Sequence, residues 1–414
     1  MRTSVVTLCL SLLLAGVVPA ADSLNVRLIG RWDSLPDYQS LGVAVQGIHA
    51  FVADNTSGLR VISIADTVHP VEVGYYDTPG HAREVTVVDS LAYVSDGDSG
   101  LQVISVADPS HPFKVGQCPT VAFAWDVVVN GGQAYVADDS GLSVISVADP
   151  AHPSEIGRYD NRYGASGVAV AGDYAYIVNS EGLWVVSISD PTQPNWVGRY
   201  ITSALGVAVQ GSYAYVAASA AGLRVVSIAD PTNPVEVGCL VDTNNSAVRL
   251  TVSGNYVYVV RGIAPGAYGL RVISVADPAN PVVVGYHYLG RNCVALSGGY
   301  AYVCNSYSFG ILQFYGGGVE EGFTQQAASV KPRPTVVRGV LNLPRDRLGT
   351  RSELADNSVM SRTALLDISG RTALELHPGA NDVSRLAPGV YFVRTEPTAV
   401  SLQPLAVTKV IVAR

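Results

Sequence analysis

Charge is scarce in this chain. Asp, Glu, Lys and Arg make up 14 % of its 414 residues, well below the roughly 25 % of an average soluble domain. The formal balance is −8 and no stretch concentrates Lys and Arg, so the basic surface that a nucleic-acid partner requires is missing. After the first twenty residues no apolar run approaches the ~18 residues of a membrane-spanning helix. The five cysteines, Cys9, Cys118, Cys239, Cys293 and Cys304, lack the paired short spacings of a zinc site. Catalytic signatures are absent as well: there is no G-x-S-x-G elbow, no H-E-x-x-H, and no Gly-rich phosphate loop between a strand and a helix.

What is present begins with a leader. Arg2, the apolar stretch VVTLCLSLLLAGVV and the small residues at Val18-Pro19-Ala20 read as a secretory signal peptide over 1–20. The alternative, an anchored first helix, has an apolar run short for a bilayer. No Cys follows the cleavage site to carry a lipid. The expectation is an exported soluble protein with no membrane span once the leader is removed.

The rest is dominated by one phrase. AYVADDSGLSVISVADPAHP at 134–153 recurs as AYVSDGDSGLQVISVADPSHP from 92 and AYVAASAAGLRVVSIADPTNP from 214. The Gly-Leu element, once Gly-Ile, falls at Leu59, Leu101, Leu142, Leu183, Leu223, Leu270 and Ile311, in steps of 42, 41, 41, 40, 47 and 41 residues. Such a period means an array of one supersecondary unit. Each copy reads as four short strands, as in GVAVQG from Gly206, YAYVA from Tyr213, GLRVVSIAD from Gly222 and VEVGCL from Val235. Glycines mark the first turn, and Pro231 and Pro234 separate the third strand from the fourth.

Apolar residues point both ways along LRVVSI, so both sheet faces must be covered, as in a propeller blade. A parallel β-helix is the alternative, and the ends of the array argue against it. NVRLIGRW at 25–32 resembles a fourth strand lacking its first three, while GILQFY stops as a third strand with no fourth. Joined, they complete one blade and close a ring without an exposed sheet edge. The predicted fold is all-β: a seven-bladed β-propeller over 22–315, closed by an N-terminal strand.

From Gly316, GGGVEEGFTQQAASVKPRPT has the composition of a linker, over 316–335. TVVRGVLNLP, TALLDISGRTALEL, GVYFVRTE and AVTKVIVAR then read as strands of a small C-terminal β-sandwich over 336–414.

The phrases GLRVISIAD and PVEVGYY, with Trp125-Asp126 before a first strand, resemble the LVIVD-repeat proteins, a bacterial and archaeal group of extracytoplasmic β-propellers. That resemblance implies the propeller fold and export, and it implies no particular ligand. LLDISGRTALEL, GANDVSRLAPGVYFVR and the terminal KVIVAR resemble C-terminal sorting domains of type IX secretion cargo. This second resemblance implies passage across the outer membrane through a secretion machinery, with the domain removed or exchanged for an anchor; a structural module that spaces or stabilises the propeller is the alternative.

If each first strand lines the channel, the residues entering it share one mouth. They are Gly42, Glu84, Asp126, Gly167, Gly206, Arg249 and Cys293, preceded by Leu41, Arg83, Trp125, Ser166, Leu205, Val248 and Asn292. Arg83, Glu84, Trp125, Asp126 and Arg249 are therefore the ligand-binding candidates, against a rim that binds only water. Loops between strands two and three carry Asp54, Asp96, Asp98, Asp138 and Asp139. Asp-x-Asp-x-Gly is a fragment of a calcium loop that lacks the later carboxylate, and the same residues suit a tight turn, which is the preferred reading. His69, His111 and His152 interchange with Gln193, Asn233 and Asn280 at the corner, which fits a polar turn better than a ligand set.

Cys293 and Cys304 flank a hairpin centred on Gly298-Gly299, which sets them opposite one another. An oxidising compartment can join them, although a strict two-residue turn makes them a hydrogen-bonded pair, spaced less favourably for a disulfide. The functional expectation is an exported, noncatalytic binding protein with a protein or carbohydrate ligand and no cofactor. The alternative is a periplasmic or extracellular hydrolase or lyase using Glu84, Asp126 and Arg249 at the channel mouth.

Overall fold

The computed structural model of the protein describes residues 23–33, 35, 40–241, 247–261, 269–305 and 308–315, and seven strands between 335 and 412. The leader at 1–20 and all of the linker but Thr335 lie outside the described residues. No described helix is long and apolar enough to cross a membrane.

The first repeat forms an antiparallel sheet of Gly42–Gln46, His49–Ala53, Leu59–Ser63 and Val71–Tyr76, in that order. Blades 2 to 6 repeat the order. The last blade has three strands from its own repeat, Cys293–Ser297, Tyr300–Cys304 and Phe309–Phe314, and its outer strand is Val26–Trp32 from the N-terminus. Val26 lies opposite Phe314 and Trp32 opposite Phe309, so the expected seven-bladed closure is the observed one.

The start of the chain also does something the repeat does not foretell. Ser23–Leu24 pairs with the outer strand of blade 6, Val282–His287, as a fifth strand. Asn25 makes the step between the two blades: it takes a left-handed φ of 53° and its side-chain amide donates to the Val284 carbonyl at 2.8 Å. Asn tolerates that conformation better than most residues.

Burial explains why one phrase is repeated. The core consists of the layers between neighbouring sheets. Leu59, Val61, Ala92, Val94 and Ile104 join blades 1 and 2. Val43, Val52 and Ile62 pack on Tyr302, Phe309 and Ile311 to join blade 1 to blade 7. A single sheet would leave both of these faces in water, at ~25 cal/mol per Å² of apolar area.

Two words of the repeat form a joint between blades. Each outer strand carries a glycine at a β-bulge, as in blade 2, where the register shifts between Lys114 and Gly116. A Cβ on Gly116 would stand 2.2 Å from the Pro150 carbonyl oxygen in the corner of blade 3. At the ring closure, a Cβ on Gly30 would stand 2.0 Å from the Thr67 oxygen in the corner of blade 1. Only glycine admits these approaches.

The corners are built alike. The carboxylates of Asp66, Asp108, Asp149, Asp190, Asp230 and Asp277 each accept from the backbone N–H two residues on. His69, His111, His152 and Asn280 bond the aspartate three residues before them. This is turn chemistry.

Residues 324–414 form a second compact unit. Its strands Thr335–Val337, Thr408–Val412, Gly389–Thr395, Thr363–Leu366 and Thr372–Leu376 make one sheet in that order, and Val340–Leu343 pairs with Gly379–Asp382.

Candidate functional site

The inner strands of all seven blades line a channel cavity of about 400 Å³, walled mainly by Val, Ala, Leu and Thr. The charged residues of its lining, Glu84, Asp126 and Arg249, all stand near the start of an inner strand. That end is fixed by the fold: the loop between strands two and three of one blade meets the residue two before the next blade's strand-entry position, through bridges Asn55–Ala82, Gly97–Ala124 and Ser219–Ala247.

At this mouth Glu84, Asp126 and Arg249 come together from blades 2, 3 and 6. Arg249 Nη1 lies 3.2 Å from Asp126 Oδ2 and 3.7 Å from Glu84 Oε2. Each carboxylate also serves the inner strands. Asp126 Oδ1 accepts from its own neighbour Val127 N at 2.8 Å, and Oδ2 from Val168 N in blade 4 at 3.0 Å. Glu84 Oε1 accepts from Val85 N at 3.2 Å. Two glycines make room: a Cβ on Gly42 would lie 2.5 Å from Glu84 Oε1, and one on Gly167 would lie 3.4 Å from Asp126 Oδ2.

The side chains of the three are only 11–19 % exposed, and their protonation follows from that. Burial pushes the Glu84 carboxyl up to about 8; Arg249 opposes this and Asp126 adds to it. Burial also works against the Arg249 charge, but Asp126 and then Glu84 outweigh it and hold the guanidinium more firmly protonated than usual. Cys293 lines the same cavity, and burial pushes its thiol well above the ordinary range.

Beside this triad lies a second cluster, on blades 2 and 3. The Arg83 guanidinium sits 4.9 Å from the Phe123 ring centroid and 4.8 Å from that of Trp125. The two rings are 4.7 Å apart and tilted by 48°, and His81 lies 6.1 Å from Phe123. The indole N–H of Trp125 donates to Asp139 Oδ1 at 2.7 Å. Arg83 forms no ion pair among the described residues, and its buried Nε has no acceptor. Burial, and then the nearby Arg249, make its charge harder to keep, and Asp98 opposes them in part.

The acidic loops divide by exposure. Asp96 is buried, accepting from Thr78 Oγ1 at 2.6 Å and Gly80 N at 2.9 Å, and burial raises its carboxyl to about 6. Asp138 is buried too, accepting from Ser140 N and Oγ, Gly141 N and Ser143 Oγ. Asp54 accepts from Ser40 Oγ at 2.6 Å. Asp98 and Asp139 are exposed. Among the described residues no group of three or more His, Cys, Asp or Glu could hold a metal ion. Cys293 and Cys304 stand opposite one another in register and are separate thiols.

All five residues singled out from the sequence therefore stand at this mouth. They form two clusters, Glu84–Arg249–Asp126 and Arg83–Trp125. Phe123 and His81 complete the second and were not singled out. The phrase VAFAWD, with two aromatics one residue apart before an inner strand, was the available signal.

The architecture is that of a seven-bladed β-propeller with a charged and aromatic mouth at one end of an apolar channel. Seven copies of the LVIVD repeat match at 39–78, 79–120, 123–161, 164–202, 203–243, 245–287 and 292–311, together more than half of the chain. The protein belongs to the LVIVD repeat family. No curated protein matches it. Solved structures similar in fold include a chain of a mitotic checkpoint complex (13 % identity, 76 % of this chain and 100 % of that one, TM-score 0.59). Others are the Myceliophteria thermophila Cps50 (Swd1) β-propeller domain (10 %, 70 % and 99 %, 0.56) and the computationally designed Ika8 protein (9 %, 70 % and 99 %, 0.52). At these identities the likeness is one of fold.

Proposed function

We propose that the protein is an exported, noncatalytic binding propeller that acts at the cell surface or in the medium and uses the charged mouth over blades 2 and 3 as its recognition face. One observation carries this reading. The corner face repeats the same Asp-capped turn in six blades, whereas the mouth face gathers the residues that differ between copies. Recognition needs such asymmetry; closing a ring does not. Rigid aromatics beside a guanidinium are also the residue types in which binding energy concentrates.

The leader at 1–20 supports export. The C-terminal unit is read as a β-sandwich sorting or anchoring domain, on the resemblance of its words to type IX cargo. Release of the mature chain outside the outer membrane, beginning near Ala21 and cut between 316 and 335, is the expected result of intact-mass analysis after fractionation of the native host; a full-length tail retained in the periplasm overturns this part.

A second reading has an observation of its own. In Glu84 and Asp126 a carboxyl raised to about 8 stands beside a second carboxylate in a cavity, the pairing from which hydrolases draw acid and base. Their hydrogen bonds to Val85, Val127 and Val168 favour a structural role instead. Retention of the purified chain on native-host envelopes or secreted polymer tests the binding reading. Trp125→Ala is expected to lose retention, and Phe113→Ser, at an exposed residue beside the corner of blade 2, to keep it; equal retention by both variants sinks the assignment of the face.

A further inference from the structure

We propose that the mouth over blades 2 and 3 binds an acidic saccharide, a hexuronate whose carboxylate pairs with Arg83 and whose ring lies against Trp125 and Phe123. This rests on the binding reading above and adds the class of ligand.

The two arginines of the mouth are treated differently. Arg249 holds both carboxylates, Asp126 at 3.2 Å and Glu84 at 3.7 Å. Arg83 has no ion pair among the described residues, yet it is fixed, its guanidinium within 5 Å of the centroids of two aromatic rings. Stacking engages the face of a guanidinium and leaves in-plane N–H groups for a planar acceptor, to which a carboxylate fits in bidentate fashion. Burial and then the nearby Arg249 make the Arg83 charge costlier, and Asp98 offsets only part of this; a carboxylate bound beside Arg83 relieves the remainder.

What surrounds Arg83 decides between kinds of carboxylate. Asp98 and Asp139 are exposed on the adjoining loops, and Asp139 is oriented by the Trp125 indole N–H. An acidic peptide brings a carboxylate with every residue and only backbone N–H donors between them, so its neighbouring charges face these two carboxylates unfavourably. A uronate brings one carboxylate per ring, with hydroxyls that donate to Asp98 and Asp139. Its C–H face suits the electron-rich face of an aromatic ring. The rings are held half-buried, so little ordering remains to be done on binding.

The test is calorimetric titration of the full chain with oligomers of galacturonate, mannuronate and glucuronate, with the neutral hexose oligomers of matched length, and with an oligoglutamate peptide. At least one uronate series is expected to bind ~10-fold or more tightly than its neutral counterpart. Arg83→Gln brings the charged and neutral series to the same affinity, Arg83→Lys retains part of the preference, and Trp125→Ala weakens both series, each variant being checked for an unchanged melting profile. No uronate binding at millimolar concentration, equal binding of charged and neutral sugars, stronger binding of the peptide, or a preference that survives Arg83→Gln overturns the proposal. The envelope-retention assay separates the two failures. If retention is lost in Trp125→Ala but uronate does not compete for it, the face stands and the ligand class is wrong; if retention is unaffected, the face itself is wrong.

Discussion

Asp126 and Arg249 meet across the channel at 3.2 Å although 123 residues separate them in sequence. The same Asp126 oxygen accepts from Val168 N at 3.0 Å, so one carboxylate ties blade 3 to blades 4 and 6. Breaking a buried pair leaves a charge with no partner, a loss of ~3–5 kcal/mol. Arg249→Met is therefore expected to destabilise the propeller by about 3 kcal/mol or more, and by less when Asp126→Asn is added, since Asp126 otherwise loses the counter-charge it holds at 3.2 Å. Denaturant melts of the single and double variants measure this.

Glu84 gives the triad a pH dependence. Its carboxyl is raised from an ordinary value near 4.5 to about 8, so the folded state binds the proton more tightly than the unfolded chain. The stability this contributes is complete below pH ~4.5 and is lost as pH rises through about 8. Glu84→Gln should flatten that decline, so the variant gains on the wild type across this window. Melting temperatures from pH 4 to 9 test it; parallel profiles contradict the assignment.

The buried brackets of the acidic loops are structural. Asp138 accepts from two hydroxyls and two backbone N–H groups, and Asp138→Ala strands those donors at a cost of ~1–3 kcal/mol or more. Asp139→Ala, at an exposed position whose side chain accepts from the Trp125 indole, is expected to change stability by no more than about 1 kcal/mol. Thermal melts of the two side by side make the comparison.

The joint between blades is tested at Gly116. A side chain there meets the Pro150 carbonyl oxygen at 2.2 Å, so Gly116→Ala forces the corner of blade 3 outward, at ~1–3 kcal/mol. Gly131→Ala, where a Cβ meets nothing nearer than 3.4 Å but φ is +58°, is expected to cost only the ~1 kcal/mol of its left-handed backbone. Chemical denaturation resolves the difference.

The architecture was readable from sequence because its signals are local. Glycine turns, Asp-Pro corners and the Gly-Leu element each act within a few residues, and counting their period gives the blades. The offset between NVRLIGRW and GILQFY gave the closure, because an unpaired strand edge needs a partner wherever the chain can supply one.

The mouth was legible only as a set. Position in the repeat places Glu84, Asp126 and Arg249 on one ring, but which of them touch depends on the angle subtended by blades 2, 3 and 6 and on side-chain reach. Gly42 and Gly167 read as strand starts; that they clear space for Glu84 and Asp126 is a contact between blades. Phe123 is not legible from the repeat, because it stands three residues before the aligned strand-entry position, where only the fold brings it against Arg83. The fifth strand at Ser23–Leu24 is two residues long, too short for a pattern of its own.

The most direct test of the account is hydroxyl-radical footprinting of the full chain with and without the material that retains it, read at single side chains. Protection of Phe123 and Trp125, with Phe113 beside the opposite corners unchanged, is the predicted result. Protection of Phe113 and the corner residues, with Phe123 and Trp125 as reactive as in the free protein, would contradict the claim that the departures from repetition at the mouth are where this propeller binds.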